Sequence, residues 1–261
     1  MAGHSKWANI KRHKARVDAA KSKVFTQISR EIIVAARQGL PDPEANFQLR
    51  NAVAKAKAAG IPNDNIDRAI AKGAGNLGGE DDYEAIRYEG YGPGGVAVLI
   101  EALTDNRNRT AADIRVAFSK NGGNLGETGC VSWMFAHKGV IILEGAIDED
   151  QLLEASLEAG AESYELLEID EDIPGAEVYT AIEDLEPVSH HLEAAGFKVK
   201  QAELRWLPGN SLEVSDEDQG RSLLKMMDAL EDLDDVQSVT SNFEMSDALL
   251  DRLSLVNISS Q

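Results

Sequence analysis

Cysteine and aromatic residues are scarce in this sequence: 261 residues include one cysteine, Cys130, with three tryptophans, five tyrosines and six phenylalanines. A single thiol excludes an intrachain disulfide and a cysteine-cluster metal site, and suits a reducing cytoplasm. Long apolar runs are absent. Val96–Ile100 and Val140–Leu143 are among the longest, far short of the roughly 18 residues of a membrane helix. No apolar stretch follows the basic N-terminus, so no secretory signal is expected. The phosphate loop GK[ST], the metalloprotease HExxH and the hydrolase GxSxG are also missing, which leaves no motif for a cofactor, a metal or a small-molecule substrate.

What remains is the composition of a folded globular protein, 43% apolar and 27% charged, long enough for about two domains or three small ones. Its formal charge of −19 hides a segregation. Residues 1–79 carry 14 basic and 6 acidic side chains, a net +8, whereas residues 80–261 carry 12 and 39, a net −27. Within the first 23 residues Lys6, Lys11, Arg12, Lys14, Arg16, Lys21 and Lys23 face only Asp18, with His4, Trp7 and His13 interleaved. Such a segment can neutralise phosphates. The competing explanation is a basic helix docked on the acidic part of its own chain, or a solvated face.

Apolar spacing predicts three helices in the basic part. Asp18–Gln38 carries a stripe of Val24, Ile28, Ile32 and Ala35 or Ala36. Pro43–Ala59 offers Phe47, Ala54 and Ala58, with Arg50 and Lys57 sharing another face. Asp64–Lys72 follows an Asn63 cap. Gly73 to Asp82 reads as a linker, where charge and composition change together.

Strands and helices then alternate. Tyr83–Tyr91 and Val96–Thr104 read as a hairpin, Thr110–Lys120 as a helix with Thr110 and Asp113 as a capping box, and Cys130–Phe135 as a strand. Six elements follow in βαββαβ order: Gly139–Glu144, Asp148–Ala159, Glu165–Ile169, Glu177–Ile182, Leu185–Ala195 and Lys198–Leu204, the pattern of a ferredoxin-like unit. A strand at Ser211–Val214, a helix at Asp216–Leu233 and a strand at Gln237–Phe243 would complete the unit begun at Tyr83. The expected division is a basic helical domain over 1–79, a discontinuous α/β domain over 80–136 plus 207–261, and an inserted βαββαβ domain over 137–206.

Gly73, Gly75, Gly78 and Gly90, Gly92, Gly95 both match G-x-G-x-x-G, but neither stands between a strand and a helix start, which a dinucleotide site requires. His190 and His191 are adjacent and point to different sides of a helix, poor geometry for joint ligation. Cys130 lacks a partner at catalytic spacing, and the acidic helix 216–235 lacks the glycine and spacing of a calcium loop. Two loops remain as phosphate or base contacts, Asp105–Thr110 with Arg107 and Arg109, and Lys120–Gly126; ordinary turn chemistry accounts for them equally well.

The motifs Gly3-His4-Ser5-Lys6-Trp7-Ala8-Asn9-Ile10-Lys11, Ile61-Pro62-Asn63, Arg68-Ala69-Ile70, Tyr88-Glu89-Gly90-Tyr91-Gly92-Pro93-Gly94-Gly95-Val96-Ala97, Leu103-Thr104-Asp105-Asn106, Asn108-Arg109-Thr110, Gly122-Gly123-Asn124-Leu125-Gly126 and Val131-Ser132-Trp133-Met134-Phe135 together resemble the YebC/PmpR family, which includes a mitochondrial translational activator. The resemblance implies an α+β protein with a helical N-terminal domain followed by two ferredoxin-like α/β domains, the second inserted in the first on the reading above. It implies no enzyme activity. Its members are described as DNA-binding transcriptional regulators and as translation factors acting on the ribosome. Because the family pattern starts at Gly3, no presequence is expected.

The sequence therefore predicts a cytoplasmic, non-enzymatic regulator of gene expression that binds DNA, with an RNA- or ribosome-binding translation factor as the alternative and a protein-interaction adaptor as a third reading. Phosphate contacts are assigned to Lys6, Lys11, Arg12, Lys14, Lys21, Lys23, Arg50, Lys57, Arg107 and Arg109, and base stacking to Trp7. No helix-turn-helix stands out.

Overall fold

The computed structural model describes residues 18–75, 83–170 and 173–258, with side chains for 23–75, 83–169 and 173–253. Lys6, Trp7, Lys11, Arg12 and Lys14 lie outside the described residues, as does most of the expected linker; Lys21 lies within a helix but its side chain is outside them.

The fold is α+β, as the sequence indicates. Three helices come first, α1 (Asp18–Gln38), α2 (Phe47–Ala58) and α3 (Asn63–Gly73). Ile28, Ile32, Ile33, Ala35 and Ala36 of α1 pack on Leu49, Ala52, Val53 and Ala56 of α2 and on Ile66 and Ala69 of α3. Two expectations change here. Val24 is exposed, so the buried stripe of α1 starts one turn later. In α2 the buried positions are spaced i, i+3, i+4, i+7 from Leu49, while Ala54 and Ala58 face solvent. Helix α2 also begins later than predicted, because the Asn46 side chain accepts from the Leu49 amide at 3.1 Å and caps it. Gly73 does more than end α3: a Cβ there would lie 2.4 Å from the Ile33 carbonyl oxygen, so the absent side chain lets α3 close on α1.

The first sheet contains β1 (Glu84–Tyr91), β2 (Ala97–Thr104), β3 (Asn124–Leu125) and β9 (Val236–Ser241) in the order β3-β1-β2-β9, antiparallel throughout. Val98 and Ile100 bury one face of β2 against Ile114 and Phe118 of α4 (Arg107–Lys120) and Leu223, Met226 and Leu230 of α7 (Glu217–Glu231). Asn106, not Thr110, caps α4, accepting from the Arg109 amide at 3.1 Å. The predicted strand Cys130–Phe135 is a loop with a tight turn at Ser132–Met134, and the strand starts only at Phe135.

The second sheet is built from β4 (Phe135–Glu144), β5 (Ser163–Asp170), β6 (Ile173–Thr180) and β7 (Val199–Pro208), ordered β5-β6-β4-β7 and antiparallel, the strand order of a ferredoxin-like unit. Helices α5 (Glu149–Ala159) and α6 (Leu185–Ala194) cover one face, with Leu152, Val188 and Leu192 fully buried against Ile141, Leu143 and Val178. A short parallel pair, β8 (Leu212–Glu213) with β10 (Phe243–Glu244), and a terminal helix α8 (Asp247–Ile258) complete the chain. Helix α8 is absent from the sequence-based reading; Leu249, Leu250 and Leu253 bury it against the first sheet's core.

Candidate nucleic-acid interface

The helical domain is gripped by acidic groups from both sheets' units. On α1, Lys23 donates to the Glu231 carbonyl and lies 3.6 Å from the Asp232 carboxylate, Gln27 donates to the Val236 carbonyl at 2.5 Å, and Arg30 donates to the Asp234 carbonyl and pairs with Asp235 at 2.9 Å. Asp235, only 5% exposed, also receives Arg109 at 2.8 Å, the Thr110 hydroxyl at 2.6 Å and the Thr104 hydroxyl at 3.2 Å. Burial works against its charge, but the hydrogen bonds from Thr110 and Arg109 and the charges of Arg30 and Arg109 outweigh it and hold this carboxyl below the usual range.

On α2, Asn51 donates to the Ala202 carbonyl at 2.8 Å, Arg50 pairs with Glu186 at 3.0 Å, and Lys55 pairs with Glu203 at 2.9 Å and with Glu31 at 3.5 Å. Glu203 is bonded in turn by Arg205 at 2.5 Å. Burial opposes the Glu203 charge, yet Arg205 and Lys55 pull its pKa down to about 2. Burial likewise opposes the Lys55 ammonium, and Glu203 and Glu31 more than offset it, so its pKa rises. Glu31 is raised, with burial as the main cause.

The basic residues singled out in the sequence thus fall into three groups. Lys23, Arg50 and Arg109 are engaged by carboxylates of their own chain, Arg109 by Asp105 at 2.7 Å as well as by Asp235. Arg107 is largely exposed and touches Glu84 at 3.3 Å. Lys57 is exposed and has no carboxylate partner among the described residues, a property shared by Arg68 on α3. The anchors Arg30 and Lys55 escape the sequence reading, because the carboxylates they meet in the later part of the chain, Asp235 and Glu203, lie more than a hundred residues away and no local pattern marks them.

A second feature covers the outer face of the first sheet. Glu89, 1% exposed, accepts from the amides of Gly129 at 2.9 Å and of Val131 and Ser132 at 2.8 Å each. Burial opposes its ionisation, and these amide bonds prevail and lower its pKa. The loop so fixed carries Trp133, 73% exposed, whose indole N–H donates to the Cys130 carbonyl at 3.1 Å; the Tyr91 hydroxyl donates to the same oxygen at 3.0 Å. Cys130 itself is half-buried, and burial raises its pKa, which favours the thiol over the thiolate. His137 stacks on Trp206 at 4.5 Å between ring centres, with Arg87 4.7 Å from the Trp206 ring, and burial lowers the His137 pKa. Among the described residues no cluster of His, Cys, Asp or Glu could hold a metal ion, and no helix is long and apolar enough to cross a membrane.

Residues 5–76 match the model of the TACO1/YebC protein N-terminal domain, and residues 83–243 that of the TACO1/YebC second and third domain. Proteins named probable transcriptional regulatory protein are 70% identical in Gloeothece citriformis and 71% identical in Trichormus variabilis, each alignment covering 96% of this chain and 98% of the relative. A solved structure, a conserved hypothetical protein from Aquifex aeolicus, superposes with a TM-score of 0.80 at 46% identity, covering 89% of this chain and 94% of that one.

Proposed function

The chain belongs to the TACO1/YebC family, and on that premise we propose that it is a non-enzymatic regulator of gene expression that acts in the cytoplasm by binding nucleic acid, DNA in the first place, through its basic N-terminal region. The observation that carries this reading is the opposition of charge: seven basic residues against one acidic in the first 23, on a chain whose later part is −27. Strong negative charge over the two sheets' units repels a phosphate backbone, which concentrates the phosphate contacts on the basic N-terminal region. Relatives named as transcriptional regulators support the regulatory role.

The described anchors sharpen the assignment. Lys23 and Arg50 tie the helical domain to the rest of the chain, and Arg109 is held by Asp105 and Asp235, leaving Lys6, Lys11, Arg12, Lys14 and Lys21, together with Lys57 and Arg107, to meet phosphates and Trp7 to stack. The division into a helical domain, a discontinuous α/β domain and a ferredoxin-like domain between its parts belongs to the same proposal, and the pairing of β2 with β9 supports it.

Binding of the purified protein to duplex DNA, single-stranded RNA and ribosomes across a salt series tests the reading. On duplex DNA the slope of log K against log salt is expected to reach about −0.9 per phosphate engaged. Changing Lys6, Lys11, Arg12 and Lys14 to alanine should shrink the slope by about that amount for every phosphate no longer neutralised. Ribosome binding that outlasts duplex binding near physiological salt would make the protein a translation factor. Binding to none of them would leave the adaptor.

A further inference from the structure

We infer that Trp133 is a stacking platform for one unpaired nucleobase, a second point of contact remote in sequence from the basic segment. This deepens the nucleic-acid reading above and rests on it.

Among the described residues Trp133 is the most exposed large apolar side chain. Exposure alone marks nothing; what distinguishes this ring is that its surroundings hold it in place, leaving an amphipathic aromatic face open to a partner. Its indole N–H is held by the Cys130 carbonyl, and that carbonyl is fixed from the other side by Tyr91. The loop beneath is pinned through three amides by the buried Glu89 carboxylate, while Val131 and Phe135, on either side of the turn, are buried in the outer core with Ala97 and Leu99. The aromatic face is therefore presented in one orientation at little entropic cost.

The chemistry of the surface favours a base over a protein groove. The only hydrogen-bonding group of the indole is already used, so what it offers is a π-face, and every nucleobase has one. The other exposed large apolar residues, among them Leu40, Val116, Leu153, Leu157, Leu166 and Ile182, lie on other segments. The loop itself is built from Gly126, Glu127, Thr128, Gly129, Cys130 and Ser132. A protein hot spot normally sits at the centre of a well-packed patch that excludes water; over this polar loop a flat group with polar edges fits better. A base inside an intact duplex cannot reach such a platform, so the ligand is single-stranded, looped or flipped-out nucleic acid.

The test uses the full chain with Trp7 and Trp206 changed to phenylalanine, leaving Trp133 as the reporter, titrated with short oligouridylate, short oligothymidylate and a DNA duplex. Quenching of Trp133 emission by either single strand and not by the duplex is expected, the two strands distinguishing RNA from DNA as the source of the base. In the otherwise unaltered protein, Trp133→Ala should weaken single-strand binding on the order of 5- to 100-fold, the loss of one stacked base, and leave the salt slope unchanged because the same phosphates stay neutralised. Trp133→Phe should recover much of that loss. Single-strand affinity unchanged in Trp133→Ala, with nucleic acid still bound, overturns the platform alone and leaves the indole to a protein partner; absence of binding by the parent protein overturns the platform and the nucleic-acid reading together.

Discussion

The Arg30 guanidinium and the Asp235 carboxylate meet at 2.9 Å across more than two hundred residues of sequence, and both side chains are largely buried. Through this pair the first helix is fastened to the turn that precedes β9. Truncating one partner leaves the other charge buried without compensation, which commonly costs about 3–5 kcal/mol. Asp235→Ala, which also removes one partner each from Arg109 and Thr110, is expected to destabilise the protein by about that much in urea unfolding. A loss below about 1 kcal/mol would show that the ion pair is ornamental.

Acid should loosen the same attachments. The carboxyls of Asp235, Glu203 and Glu89 all titrate below their ordinary values, so the stability they contribute is complete above the unfolded values near 4 and is lost as pH falls through the lower folded ones. Glu31 runs the other way: its raised pKa means that its charged form is the costly one, and protonation there relieves the structure. The net expectation is a fall in urea midpoint between about pH 4.5 and pH 2.5, steeper than in a protein carrying Asp235→Asn and Glu203→Gln.

Glu89→Gln replaces an acceptor-only group with one whose amide must face a backbone N–H. A destabilisation of about 1–3 kcal/mol is expected, the cost of an unsatisfied buried donor. The loop should loosen with it, read as a drop in Trp133 fluorescence anisotropy in the single-tryptophan protein. Unchanged anisotropy would mean that the turn is held by its apolar flank instead.

Lys57 and Lys23 make a paired comparison. Lys57 is exposed and has no carboxylate beside it among the described residues, so Lys57→Ala should leave stability within about 0.5 kcal/mol of the parent and reduce the magnitude of the DNA salt slope by about 1. Lys23 is tied to Glu231 and Asp232, so Lys23→Ala should lower stability and leave that slope nearly intact. Reversal of the two outcomes would exchange their roles.

The sequence carried the fold class because the signals that determine it are local. The stripe Ile28, Ile32, Ala35 and the βαββαβ run from Gly139 to Leu204 need only neighbouring residues to be read. Boundaries slip where a competing local bond decides them: Asn46 and Asn106 cap helices that apolar spacing alone would start elsewhere. Cys130–Phe135 resembles a strand because Val131, Trp133 and Phe135 alternate, yet Glu89 captures the amides that a strand would have offered to a neighbour. Docking of basic residues on acidic ones is the rival to phosphate binding, and for Lys23, Arg50 and Arg109 the structure shows such pairing. No spacing rule could have named Asp235 or Glu186 as the partners.

The position of β9 bears on how the molecule is made. Glu101 on β2 accepts a hydrogen bond from Ser238 on β9 at 2.8 Å, 137 residues further on. The second sheet closes from strands that leave the ribosome consecutively, so it can fold while synthesis continues. The first sheet must wait, its β2 edge unpaired, until nearly the whole chain has emerged. Pairing at such sequence separation carries a larger loop-closure cost than any pairing within the second sheet. For the same interval the acidic turn after Glu231 does not yet exist, so the basic first helix is synthesised long before the carboxylates that will hold it.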